Sequence, residues 1–72
     1  METLQTMGQR LAELRKERHL RQADMAELLG LTIRHYQRME YGEVNVPALT
    51  LCAVADYFGV SADYLLGRSE ER

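Results

Sequence analysis

Arg34, Gln37 and Arg38, with Ile33 before them and Tyr41 after, recur at spacings that gather along one side of a helix. At about 100° per residue, with Ile33 at zero, all five fall within about 0–140°, while Thr32, Tyr36 and Met39 fall opposite, near about 240–300°. The first set offers two guanidinium groups, an amide, a phenol and an apolar knob. That is the chemistry the base edges of duplex DNA require: a guanidinium forks onto O6 and N7 of guanine, a glutamine amide pairs with N6 and N7 of adenine, and an aliphatic group contacts the thymine methyl. The second set is packing material. Other chemistry is sparse. There is no Ser/His/Asp or Cys/His set and no glycine-rich phosphate loop, so an enzyme is not expected. His19, His35 and Cys52 lack the short spacing of metal ligands, and neither a metal nor a cofactor is implied. Cys52 reads as a buried, inert thiol and Tyr57, Phe58 and Tyr64 as packing.

These side chains need a scaffold, and apolar spacing near 3.6 with glycine punctuation supplies one. A first helix is expected over about Thr6–Arg18, with Leu4, Met7, Leu11 and Leu14 in one stripe. A second covers about Gln22–Leu28, burying Met25, Ala26 and Leu29, and Gly30 ends it. Thr32 caps a third, which runs to about Glu40 and stops at Gly42. Pro47 stands in the first turn of a fourth that reaches Phe58, with Leu51, Val54, Ala55 and Phe58 facing inward. Ser61 caps a short fifth over Ala62–Leu66. No segment alternates with period two, so the fold class is all-α. Helices two and three are joined only by Leu29-Gly30-Leu31-Thr32, and so short a turn forces them to cross steeply as a helix-turn-helix. Residues 4–67 read as one domain, with residues 1–3 and 68–72 as polar, flexible ends.

The chain has 72 residues, one cysteine and no long apolar run, which excludes a two-domain enzyme, a disulfide scaffold and a membrane span. Residues 1–20 lack the apolar block of a secretory signal, which points to the cytosol. The net charge is −2. It is unevenly spread: residues 1–38 carry +2 and residues 39–72 carry −4, which allows a basic face on the first half. Arg10, Arg15, Lys16 and Arg18 cluster on the first helix and read, Arg15 apart, as solvated surface charge.

The segment LRKERHLRQADMAELLG (residues 14–30), followed by LTIRHYQRMEYG (31–42) and, later, ADYFGVSADYLLG (55–67), resembles the phage repressor/Cro-type (XRE) helix-turn-helix family. The resemblance covers about residues 7–68. It implies a five-helix domain that docks on double-stranded operator DNA as a two-fold dimer and regulates transcription, usually by repression. Carried over by position, Thr32, Ile33, Arg34, Gln37 and Arg38 meet the major groove, with Ile33, Arg34, Gln37 and Arg38 reading bases. Arg21, Gln22, Thr32, His35 and Tyr41 fall to the DNA backbone, Gln22 also buttressing helix three. Arg15 and Glu40 match the family's structural ion pair. Two departures stand out. Arg21 occupies a capping position usually held by Ser or Thr, at a capping cost of about 1 kcal/mol. The loop Glu43-Val44-Asn45-Val46 lacks the positive charge that often grips the DNA backbone.

Helix four is apolar nearly all round, as helices covered on both sides are. Leu49, Ala53 and Tyr57, with Tyr64 of helix five, are therefore expected at a homodimer interface. A two-fold pair would set its recognition helices about 34 Å apart and select a palindromic operator. The competing reading is a protein-binding module on the same scaffold, such as an antitoxin, suggested by the acidic second half and the uncharged loop. Neither reading involves a membrane.

Overall fold

Five helices form where the apolar stripes predict them. The computed structural model describes residues 1–72 and orders them as α1 (Glu2–Glu17), α2 (Gln22–Leu29), α3 (Ile33–Glu40), α4 (Ala48–Phe58) and α5 (Ala62–Leu65). The core draws on every helix: Leu11 and Leu14 from α1, Met25 and Ala26 from α2, Tyr36 and Met39 from α3, Val54, Ala55 and Phe58 from α4, Tyr64 and Leu65 from α5. No helix is long and apolar enough to cross a membrane.

The α2–α3 turn depends on Gly30, whose φ of 69° lies in the left-handed region. There its N–H donates to the Glu27 carbonyl (3.2 Å) and the next N–H, of Leu31, to the Ala26 carbonyl (2.8 Å). This pairing satisfies two free carbonyls at the end of α2 and turns the chain within two residues. The Thr32 hydroxyl then accepts from the His35 N–H (3.1 Å), opening α3. Ser61 caps α5 in the same way, accepting from the Tyr64 N–H (3.0 Å).

Several expectations are corrected. Helix α1 begins at Glu2 rather than near Thr6, because its first half packs on the end of α3. The contact is at backbone distance: a Cβ on Gly8 would lie 2.7 Å from the Met39 carbonyl oxygen and closer still to that of Glu40. One on Gly42 would lie 2.9 Å from the Gln5 Cα. Glycine within a helix costs about 0.5–1 kcal/mol relative to alanine, and here its missing side chain is what admits α3. Pro47 is the N-cap of α4 rather than a residue of its first turn. Cys52 is exposed, not buried, since it lies about 200° around the helix from the buried Val54.

Of the basic cluster, Lys16 and Arg18 are exposed as expected, and Arg10 is less solvated. Arg10 donates to the Tyr64 and Ser69 carbonyls and pairs with Glu70 (3.2 Å), its guanidinium stacked 4.3 Å from the Tyr64 ring centre. Arg18 donates to the Tyr57 carbonyl (3.0 Å) and lies over the Tyr57 and Phe58 rings. Residues 68–72 fold back on the body, with Arg72 paired to Glu17 and its carbonyl accepting from the Ser61 N–H (2.8 Å).

If backbone contact fixes the seat of α3, Gly8→Ala lowers stability by about 1–3 kcal/mol, although alanine is the better helix former. Urea denaturation checks this; a stabilised Gly8→Ala protein would show that α1 and α3 can separate freely.

Candidate nucleic-acid interface

Glu40 closes α3 with its side chain only 4% exposed, and a carboxylate so deeply placed must find donors. It finds four. Arg15 donates through Nε (2.6 Å) and Nη2 (3.1 Å), Tyr36 through its hydroxyl and Gln22 through Nε2 (3.1 Å). The Arg15 and Glu40 expected to pair therefore do so, and the pair ties α1 to α3. Arg15 also donates to the Leu20 carbonyl (2.9 Å), fixing the α1–α2 connection. Burial pushes the Glu40 carboxyl up, but the hydrogen bonds from Arg15, Tyr36 and Gln22 outweigh it and hold the group below its ordinary range. Burial and the neighbouring carboxylate raise the Tyr36 phenol, which stays protonated as a donor. The Tyr36 contribution was missed in the sequence, though its i,i+4 spacing to Glu40 on one helix is a readable signal.

Gln22 continues the network outward. Its Oε1 accepts from Gln37 Nε2 (3.0 Å), so the first residue of α2 holds a side chain on the presented side of α3. With Tyr36 and Met39 fully buried behind, Ile33 (49% exposed) and Tyr41 (61%) face outward together with exposed Arg34 and Arg38. Gln37 is half-buried within that face, His35 is half-buried at its margin, and Thr32 is exposed. The structure thus brings Ile33, Arg34, Gln37, Arg38 and Tyr41 onto one surface, with Gln22 touching Gln37.

Two carboxylates overlooked in the sequence bear on this surface. Asp24 accepts from the Arg21 backbone N–H (2.8 Å) and pairs with its guanidinium (2.8 Å). Arg21 cannot accept at the start of α2, but Asp24, three residues on, supplies the reciprocal half of a capping box. Its signal was the Arg21–Asp24 spacing. Glu43 lies 3.6 Å from Arg38, each side chain about half exposed, a pairing worth about 0–1 kcal/mol. Arg38 is thus released at small cost, and Arg34 has no ion-pair partner.

The residues expected at a dimer face separate. Leu49 is 84% exposed and Tyr57 39%, with Ala53 exposed beside them on α4. Tyr64 does not join them. At 7% exposure it belongs to the core, because α5 turns that ring inward beneath Arg10.

Removing Glu40 strands the Arg15 charge, and Glu40→Ala is expected to cost about 3–5 kcal/mol. The sign with pH follows from the lowered carboxyl. The unfolded chain binds the proton more readily, so this stabilisation is complete above about pH 4.3 and is lost as pH falls through the folded-state pKa. Denaturant titrations between about pH 2 and 7 are expected to show a shallower acid loss in Glu40→Gln than in the wild type; equal slopes would remove Glu40 as the cause.

Comparison with known proteins bears on this arrangement. A Helix-turn-helix family model matches residues 11–65. The SPbeta prophage-derived uncharacterized HTH-type transcriptional regulator YonR of Bacillus subtilis is 36% identical over 59 residues, covering 82% of this chain and 55% of its own length. The immunity repressor of Bacillus phage phi105 is 36% identical over 62 residues, covering 86% of this chain and 43% of its own length. The cryptic phage CTXphi transcriptional repressor RstR of Vibrio cholerae is 37% identical over 60 residues, covering 83% and 54%. The chain spans about half the length of the curated relatives it matches. Among solved structures, the restriction-modification controller protein C.AhdI from Aeromonas hydrophila superposes with a TM-score of 0.78 at 31% identity, covering 90% of this chain and 98% of that one. Recessed Tyr36 and Met39, a capped α3 and a glycine turn from α2 are thus the local form of a shared plan, and the chain belongs to the Helix-turn-helix family, of the XRE type.

Proposed function

We propose that the chain is a sequence-specific DNA-binding transcriptional regulator that represses by occupying a palindromic operator as a homodimer. One observation carries the reading: α3 buries Tyr36 and Met39 completely while holding Ile33, Arg34, Gln37 and Arg38 on its opposite, accessible side. Such a helix enters the major groove with base-reading groups already aligned. Arg34 and Arg38 take guanine, Gln37 adenine and Ile33 a thymine methyl. The free N–H groups at the start of α3 favour a phosphate beside Thr32 and His35, with Arg21, Gln22 and Tyr41 flanking it. Repression is supported by the phi105 immunity repressor and the CTXphi transcriptional repressor among the relatives.

The second copy would cover the exposed Leu49, Ala53 and Tyr57 of α4. A pair of subunits doubles the contacts and imposes two half-sites about one helical turn apart. Leu49→Glu places a charge on that face and is expected to shift the protein from dimer to monomer at micromolar concentration in sedimentation equilibrium. An unshifted dimer would move the interface elsewhere.

Selection of bound sequences from a random duplex pool tests the whole reading. A palindromic consensus is expected, and Arg34→Ala is expected to lose one position per half-site, at about 1–3 kcal/mol of discrimination. Weak, featureless binding erased by modest salt would leave only phosphate attraction. It would overturn the operator reading in favour of a module that binds a protein partner.

A further inference from the structure

We propose that the two copies of the homodimer pack α4 against α4 in parallel, with Asp56 of each copy paired to Arg18 of the other. The proposal rests on the homodimer reading and adds to it the orientation of the subunits and the ion pairs that fix it.

Leu49, Ala53 and Tyr57 form an exposed, largely apolar ridge along α4. With Ala53 at zero, Leu49 lies at about −40° around the helix, Tyr57 at about +40° and Asp56 at about −60°. Phe58, at about +140°, is buried. Arg18 lies over the Tyr57 and Phe58 rings, so it borders the ridge on the Tyr57 flank while Asp56 borders it on the other. The two stand near one level along α4, since Arg18 donates to the carbonyl of Tyr57, the residue after Asp56. Both side chains are exposed, and neither has an ion-pair partner in its own chain. Glu43, Asp63 and Glu70, by contrast, each meet a guanidinium of the same chain.

A ridge with an anion on one flank and a cation on the other complements itself about a two-fold axis running along it. Such an axis faces Leu49 with Leu49, Ala53 with Ala53 and Tyr57 with Tyr57. It also exchanges the flanks, so that each Asp56 comes beside Arg18 of the second copy at the same level. An antiparallel pair centred on Ala53 keeps each flank on its own side. It would set Asp56 beside Leu49 and Arg18 beside Thr50, covering both charges without partners. Covering an unpaired charge is unfavourable, so the charges select the parallel arrangement. Ion pairs at the rim of an interface contribute less to affinity than to the orientation and choice of partner, because the alternatives juxtapose like charges or strand single ones.

Charge reversal tests the pairing by sedimentation equilibrium. Asp56→Lys and Arg18→Glu are each expected to raise the dimer dissociation constant on the order of tenfold, because each sets like charges together at two places. Mixed in equal amounts, the two variants are expected to form a heterodimer in which both places carry opposite charges. Its dissociation constant is expected to return to within about threefold of the wild-type value. A folding defect in either variant would not be repaired by mixing. A second measurement does not involve the ion pair. Leu49→Cys combined with Cys52→Ser is expected to form an intersubunit disulfide under mild oxidation, since only the parallel pair brings the two positions 49 together. Mixed variants no tighter than either alone, or a Leu49→Cys protein that stays reduced, overturn the parallel pairing while leaving the homodimer intact. A wild type that sediments as a monomer overturns both.

Discussion

A negative charge that cannot reach water is the constraint around which this domain is arranged. Glu40 sits at the junction of α1, α2 and α3, and each of those helices sends it a donor or carries it. Burying an isolated carboxylate costs several kcal/mol, so the arrangement holds only when Arg15, Tyr36 and Gln22 all arrive at once. A buried ion pair is weak evidence for stability in itself. Its consequence here is geometric: the donors converge only in one relative placement of the three helices. Gly8 belongs to the same constraint from the backbone side, because without its bare Cα the end of α3 could not come close enough for Arg15 to span the gap.

The distribution of positive charge follows from how α1 is used. Arg10 and Arg15 face inward to carbonyls, carboxylates and rings, and so belong to the scaffold, while Arg18 lies exposed over the Tyr57 and Phe58 rings. The guanidinium groups near the presented side of α3 reduce to Arg21, Arg34 and Arg38, two of them beside a carboxylate. With so few guanidinium groups on that side and a net charge of −2, the domain gathers little affinity from phosphate attraction alone. On the proposed reading, binding must lean on base contacts and on doubling by a second subunit. The neighbouring carboxylates fit that picture, since they lower attraction to arbitrary DNA while yielding Arg38 at small cost.

What could be read from the sequence was whatever depends on local spacing. The stripes of α1 to α4, the turn at Gly30, the caps at Thr32 and Ser61 and the two faces of α3 are set by residues within one or two turns of each other. The misses share another origin. Tyr64 turned inward because the placing of the short α5 against the body is contained in no single-helix projection. The early start of α1 and the task of Gly8 depend on a partner some thirty residues away. Arg10 looked solvated because its buried acceptors are backbone carbonyls, which every residue carries and no sequence motif marks. The amide chain from Glu40 to Gln37 was invisible for the same reason: its links join residues that become neighbours only once α2 crosses α3.

The presented side of α3 lies directly against the domain's most constrained buried group. Side chains on an isolated helix surface choose among rotamers, and a ligand must select one at an entropic cost. Gln37 has that choice curtailed by a network rooted in the core, whereas Arg34, with no ion-pair partner, keeps its freedom. On the proposed reading, the surface thus combines a rigid side chain with adaptable ones. Rigidity at Gln37 suits a contact whose partner is defined by the direction of a hydrogen bond. Freedom at Arg34 favours adjustment to the docking angle, since a guanidinium donates from every edge and has no polarity to get wrong. The division matches the chemistry of the two side chains: an amide gains from being held because it has a right and a wrong way round, and a guanidinium has less to gain.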